Sequence, residues 1–206
     1  FIQRCKKVYL ESYTVDFPYK LGELQDELHG KKVISADREF VESCKIVDEA
    51  KKKDVALLIY GSPLSATTHI SLLEEAKRMG VKYRIVYGAS IFDAVAETGL
   101  QLYNFGKVTS IPAWKKSYEP DSFMKIVQDN QSIKAHSLIL ADIGLDFQDA
   151  LAQLEKSAKN YDVALKKIVV CQTLGTKDQK IFYKDISEFK KFTGVRKPYC
   201  IIIPSK

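Results

Sequence analysis

The run Gly61-Ser62-Pro63-Leu64-Ser65-Ala66-Thr67-Thr68-His69 gathers hydroxyl groups and one imidazole directly behind an apolar stretch, Val55-Ala56-Leu57-Leu58-Ile59-Tyr60. Ile70 to Met79 follows, with Leu72, Leu73, Ala76 and Met79 at helical spacing. A polar turn between a buried strand and a helix belongs at the carboxyl end of a parallel strand, where α/β sheets hold ligands. Its chemistry is recognition by hydroxyl and backbone groups. The sequence shows no Ser/His/Asp or Cys/His arrangement, so no catalytic nucleophile is assigned. His29, His69 and His136 stand far apart with no Glu-x-x-His or Cys/His framework around them, and no metal site is expected. Phosphate-loop and dinucleotide-binding glycine patterns are absent too. For His69, packing at the helix start is favoured over contact with a substrate.

The elements that must position this turn alternate apolar strands with helical patterns, as in a parallel or mixed sheet covered by helices. Val8 to Tyr13 and Val33 to Ser35 read as strands around a short helix carrying Leu21, Leu24 and Leu28. One helix is expected over Glu39 to Lys52, and short strands over Val55 to Tyr60 and Tyr83 to Tyr87. Ser90 precedes a helix running to about Glu97, and its Ser-x-x-Asp spacing suits a capping role. Proline and polar residues in Ala113-Trp114-Lys115-Lys116-Ser117-Tyr118-Glu119-Pro120 mark a linker, giving an N-terminal domain over 1–112 and a C-terminal one over 113–206. Trp114 and Tyr118 either wall a cleft between domains or seal the hinge. In the second half, strands are expected at Ser137 to Ala141, Ile168 to Gln172, Lys180 to Tyr183 and Tyr199 to Ile203. Helices are expected at Asp121 to Asp129, Phe147 to Lys159 and Ile186 to Phe192.

Composition bounds the class of protein. With 206 residues, 46% of them apolar, the chain can bury one large core or two small ones. A net charge of +6 comes from scattered Lys and Arg rather than an arginine-rich arm, so nucleic-acid binding is disfavoured. Cys5, Cys44, Cys171 and Cys200 lack metal-ligand spacing and read as free thiols of a reducing compartment. No run reaches the roughly 18 apolar residues that span a bilayer, and a cytoplasmic location is the expectation.

The turn at Gly61 and a second stretch, Gly88-Ala89-Ser90-Ile91-Phe92-Asp93 through Thr98-Gly99-Leu100-Gln101-Leu102-Tyr103-Asn104-Phe105-Gly106, together closely resemble the diphthine synthases. Weaker likeness runs through Val8-Tyr9-Leu10-Glu11-Ser12-Tyr13-Thr14, Ala36-Asp37-Arg38-Glu39, Ala141-Asp142-Ile143 and Ile203-Pro204. The resemblance implies two α/β domains of the tetrapyrrole methylase-like fold with the cofactor in the interdomain cleft. It also implies a strand and a glycine-rich turn ahead of Phe1, which this sequence does not contain, and a homodimer. The implied activity is transfer of methyl groups from S-adenosylmethionine, leaving S-adenosylhomocysteine, to the amine of a modified histidine on translation elongation factor 2, during diphthamide biosynthesis. Rival readings are a non-catalytic relative with a binding role, or a methyltransferase of the same fold acting on a tetrapyrrole or RNA.

By the same resemblance Ser62, Ser65, Ser90 and Ile91 contact the cofactor from the first half, and Ala141, Leu174 and Tyr199 from the second. Each also has a structural reading: Ser90 as a helix cap, Ala141 and Leu174 as core fillers, Tyr199 as a strand start. Two positions depart from the family pattern. Ser62 stands where the family has an aspartate in Gly-Asp-Pro, and Tyr199 where a histidine is frequent. Methylation of an amine by a sulfonium is an in-line substitution, so alignment alone can supply up to about 7–11 kcal/mol and no catalytic side chain is required.

Overall fold

The computed structural model describes residues 1–205 and divides into two compact units, Phe1–Ser90 and Ile91 onward. In the first unit a parallel sheet has the order β2-β1-β3, formed by β1 (Lys7–Glu11), β2 (Val33–Ala36) and β3 (Val55–Leu58). Side-chain alternation along β1 explains its double burial. Val8 and Leu10 join Cys5, Val33 and Ala56 on one face, under Leu24 of helix α1 (Leu21–Glu27) and Leu28 just past its end. Tyr9 faces the other way, into a cluster with Val41, Ile46, Val47, Leu72 and Ala76.

Those partners come from α2 (Arg38–Glu42), α3 (Lys45–Ala50) and α4 (Ile70–Arg78). The single helix expected over Glu39 to Lys52 is therefore two. Cys44 takes a left-handed conformation, φ 58°, and the Ser43 hydroxyl donates to the Phe40 carbonyl at 2.9 Å, competing with the helical ladder. Asp37 starts α2 by accepting from the Phe40 amide at 2.8 Å.

A second difference lies at Tyr83 to Tyr87, expected as a strand. Residues 81–90 form no regular element, and Tyr83, Val86 and Tyr87 are exposed. A ladder needs a neighbouring strand as well as β-forming side chains, and none pairs with this segment among the described residues.

The second unit begins with a short helix, α5 (Ile91–Ala94), continued by a 3-10 turn over Val95–Thr98. Its sheet has the order β4-β5-β8-β6-β7. The strands are β4 (Thr109–Ile111), β5 (Ser137–Ala141), β6 (Lys167–Gln172), β7 (Lys180–Asp185) and β8 (Tyr199–Ile203). The junction expected at 112 lies inside this unit, because β4 pairs in parallel with β5 through Ile111 and Ala141. β6 and β7, both near their expected positions, pair as an antiparallel hairpin.

Helices α6 (Ser122–Ser132), α7 (Phe147–Asn160) and α8 (Ile186–Phe189) cover one face, where Ile139, Ile168, Val170 and Ile201 meet Val127, Leu151, Leu154 and Phe189. On the other face Leu138, Val169, Cys171, Cys200 and Ile202 pack against Val95. With both faces covered, the central strands read as unbroken apolar runs.

Candidate functional site

All three strands of the first unit are parallel, so their carboxyl ends share one edge. From β1 that edge receives Glu11, fully buried, whose carboxylate accepts from the Thr14 hydroxyl at 2.8 Å and the Tyr13 amide at 3.3 Å. From β3 it receives the Gly61 turn. Gly61 has φ +89°, a conformation that side chains with a Cβ rarely adopt. The turn then tightens on its own hydroxyls: Ser65 Oγ donates to Ser62 Oγ at 2.9 Å, and Thr67 Oγ1 donates to the Pro63 carbonyl at 3.1 Å.

Gly88 brings the second stretch against this turn. A Cβ placed there would lie 2.7 Å from the Gly61 carbonyl oxygen, closer than packing allows, while one placed at Gly61 would meet the Ala89 carbonyl oxygen at 3.5 Å, an ordinary contact. The structure thus brings together the backbones of the two stretches that hold Ser62, Ser65 and Ser90. Ser62 and Ser65 are half-buried, and Ser90 is buried at the start of α5.

His69 is buried at the start of α4, its Nε2 lying 3.5 Å from the Tyr13 hydroxyl, and its Nδ1 has no hydrogen-bond partner. Burial pushes the Tyr13 phenol up, with the Glu11 and Glu42 carboxylates adding to it. This environment matches the packing role expected of His69.

The second unit has an edge of its own. β8 runs antiparallel to β5 and β6, opposing Leu140 and Cys171 to Cys200, and Gln172 to Tyr199. Ala141 at the end of β5, Leu174 just past β6 and Tyr199 at the start of β8 therefore meet at one end of the sheet. Leu174 lies in a sharp turn between Thr173, φ 46°, and Gly175, φ 80°. Ala141 and Leu174 are half-buried.

The Tyr199 side chain belongs to the core. Its hydroxyl donates to the Leu145 carbonyl at 3.1 Å and its ring meets Phe147 edge-on, 5.6 Å between centroids. What Tyr199 presents to the edge is backbone. Ile91, the remaining expected contact, packs partly buried on the cluster around Val95.

Beside this edge lies a cavity of about 520 Å³ that sequence reasoning did not assign, lined by Trp114, Gly144, Leu145, Asp146, Asp149 and Lys156 among others. The indole Nε1 of Trp114 donates to the Pro120 carbonyl at 2.9 Å. Gln153, oriented so that both ends of its amide are satisfied, donates to the Pro112 carbonyl at 2.7 Å and accepts from the Trp114 amide at 3.3 Å.

The long word around Leu102-Tyr103-Asn104-Phe105-Gly106 is a clamped connector. Buried Asn130 holds Lys107 at both ends of its peptide neighbourhood, accepting from its amide at 2.9 Å and donating to its carbonyl at 2.8 Å. Gly106 donates to the His136 carbonyl at 2.9 Å. Burial lowers the pKa of His136, and its Nδ1 accepts from the Ser205 amide at 2.9 Å.

Among the described residues no His, Cys, Asp and Glu groups are arranged to hold a metal ion, the four cysteines are free, and no helix is long and apolar enough to cross a membrane.

A family model described as tetrapyrrole (corrin/porphyrin) methylases matches residues 2–190. The chain is 42% identical over 144 residues to a diphthine methyl ester synthase of Yarrowia lipolytica, an alignment covering 69% of this chain and 48% of that protein. It is 34% identical to the diphthine synthase of Methanocaldococcus jannaschii, covering 100% of this chain and 86% of that one. A crystal structure of diphthine synthase aligns with TM-score 0.88 at 28% identity, covering 100% of this chain and 81% of the other. The chain spans about half the length of the fungal relatives it matches over 144 residues. The length of the match, the archaeal relative and the shared fold agree: this chain belongs to the tetrapyrrole methylase family, among the diphthine synthases.

Proposed function

We propose that this protein transfers methyl groups from S-adenosylmethionine to the modified histidine of translation elongation factor 2 in diphthamide biosynthesis, in the cytoplasm and as a homodimer. The observation that carries the reading is the convergence of Ala141, Leu174 and Tyr199 at one end of the second sheet, which follows from the strand register. Family membership supports it. The fungal relatives are named diphthine methyl ester synthases, so a carboxylate oxygen of the same side chain belongs among the acceptors beside the amine.

The residues fit such a cofactor. At Gly88 the Gly61 carbonyl lies so close that no side chain fits, and a polar ligand edge would meet backbone groups of the two loops there. Ser62, Ser65 and Ser90 would contribute from the first unit, and Ile91, Ala141, Leu174 and Tyr199 from the second, Tyr199 through its backbone. The cofactor supplies an electrophilic methyl carbon. The chain supplies alignment: fixed peptide dipoles and turn hydroxyls would orient the ligand. An amine acceptor must arrive unprotonated, and a carboxylate acceptor ionised.

The test is incubation with label-carrying S-adenosylmethionine and elongation factor 2 bearing the preceding diphthamide intermediate. Label should enter the factor, and part of it should be released by mild alkali, as an ester requires. Absence of label on a competent substrate overturns the reading. A second reading, a relative that binds without methylating, is favoured by Ser62 in place of the family's aspartate. It predicts retention of elongation factor 2 without transfer.

A further inference from the structure

The cavity beside Trp114 has a composition that an ordinary surface depression lacks. Its indole Nε1 is held by the Pro120 carbonyl, and its backbone amide by Gln153, so both the ring and the chain that carries it are anchored. The face of that ring already carries a cation: Lys156 Nζ lies 5.2 Å from its centroid and is ion-paired with Glu119. Opposite charge is in excess around it. Asp146 opens α7 without capping it through its side chain, and Asp149 follows in the first turn. These two line the cavity with Glu119, against the single positive charge of Lys156.

First-turn acids also complement a helix dipole. That role accounts for their charge, but it does not account for an indole that shares with them a cavity of about 520 Å³. The acids do not converge as metal ligands do. An anchored aromatic face, dispersed carboxylates and ample volume suit a bulky cation of diffuse charge, the chemistry by which aromatic sites bind methylated ammonium groups.

We infer that this cavity is a subsite for a methylated ammonium group, with Trp114 as its aromatic wall, Asp146 and Asp149 as its counter-charge and Lys156 as a resident cation that the ligand displaces. The inference rests on the proposed function for its ligand, since each methyl transfer to an amine makes such a group on the acceptor side chain. The cavity adjoins the edge that carries Ala141: Ala113 lines it, and the Ala113 amide donates to the carboxylate of Asp142, the residue after Ala141, at 3.1 Å. A product ammonium held there would keep the side chain in place for the next transfer.

The chain contains one tryptophan, so its fluorescence reports Trp114 alone. The probes are choline and its neutral isostere 3,3-dimethylbutan-1-ol, titrated at constant ionic strength. Choline should perturb the emission saturably and bind at least about fivefold more tightly than the alcohol. Asp149→Asn should weaken choline at least about threefold, and Lys156→Met, which removes the resident cation, should strengthen it by a similar factor. Equal response to the two probes, or an Asp149→Asn variant that binds choline like the parent, overturns the inference. A parallel calorimetric titration with S-adenosylhomocysteine separates the two readings. Cofactor binding without choline selectivity removes the subsite alone, whereas choline selectivity without cofactor binding removes the methyl-transfer reading and leaves a cation site.

Discussion

Serine at position 62 offers a ligand one hydroxyl, and here that hydroxyl already accepts from Ser65 at 2.9 Å. An aspartate at this position would accept the same bond and add a charged acceptor, whose hydrogen bonds are roughly twice as strong as neutral ones. Ser62→Asp is therefore expected to tighten S-adenosylhomocysteine binding by about 1–2 kcal/mol, about tenfold, by calorimetric titration. An unchanged affinity would mean that Ser62 does not face the cofactor. Residue by residue, the sequence announced the hydroxyl-rich turn because its composition is unusual between two apolar segments. It could not announce the fate of Tyr199, whose type suits both a pocket and a core. The fixed path of Leu145 past the sheet decides that its phenol turns inward. Nor did anything in the types of Asp146 and Asp149 reveal that a distant indole would share a cavity with them.

The elements that were legible are those whose pattern is self-sufficient. α7 carries Leu151, Leu154 and Ala158 on one face and forms where its periodicity places it, and so do β8 and β6, the latter apolar from Ile168 to Cys171. The misread elements depend on neighbours: Tyr83 to Tyr87 lacks a partner strand, and the helix from Arg38 breaks at Cys44 through a local hydroxyl bond. Gly88 shows the same dependence, since only the passing Gly61 carbonyl makes a side chain impossible there. Gly88→Ala should push the two loops apart, costing about 1–3 kcal/mol of stability by chemical denaturation and most of the cofactor affinity. Retained affinity would remove the loop pair from the site.

β1 and α3 are tied by Glu49, which pairs with Lys7 at 2.8 Å and Lys53 at 3.0 Å and accepts from the Tyr9 hydroxyl at 2.8 Å. The Lys7 ammonium, helped by Tyr9 and Lys53, holds the Glu49 carboxyl down from 4.5 to about 2. A depressed carboxyl contributes its stability in full above its unfolded value and loses it as pH falls toward the folded one. The stability difference between the parent and Glu49→Gln, about 1 kcal/mol, should thus be constant above pH 4.5 and vanish on approach to about pH 2. A difference independent of pH throughout would show that the ion pairs contribute nothing.

At the scale of the whole molecule, each unit keeps its own core, and the division of burial between them is uneven. The large apolar side chains that are fully buried, among them Ile139, Leu151, Leu154, Ile168, Ile201 and Phe189, all belong to the second unit, while the first contributes the carboxylate of Glu11 to that set. Opening free energy follows buried apolar contact, so amides of β5, β6 and β8 should exchange with solvent more slowly than those of β1 to β3. Exchange followed by mass spectrometry checks this, and slower exchange in the first unit would contradict it. The alternation of strands and helices made the α/β class readable from sequence. The division near Ser90 was not, because Pro112 looks like a boundary until β4 is seen to pair with β5.

The placement of β8 has a consequence for how the protein is made. β5 and β6 do not touch each other in the sheet; both are joined through β8, the last of the five strands in chain order. Before β8 is made, β5 and β6 each lack the strand that flanks them in the finished sheet, and a row of their peptide groups has no partner. Residues 199–203 close the gap from the middle. Until they leave the ribosome, the edge that gathers Ala141, Leu174 and Tyr199 does not exist, and the unpaired flanks of β5 and β6 are open to pairing with other chains.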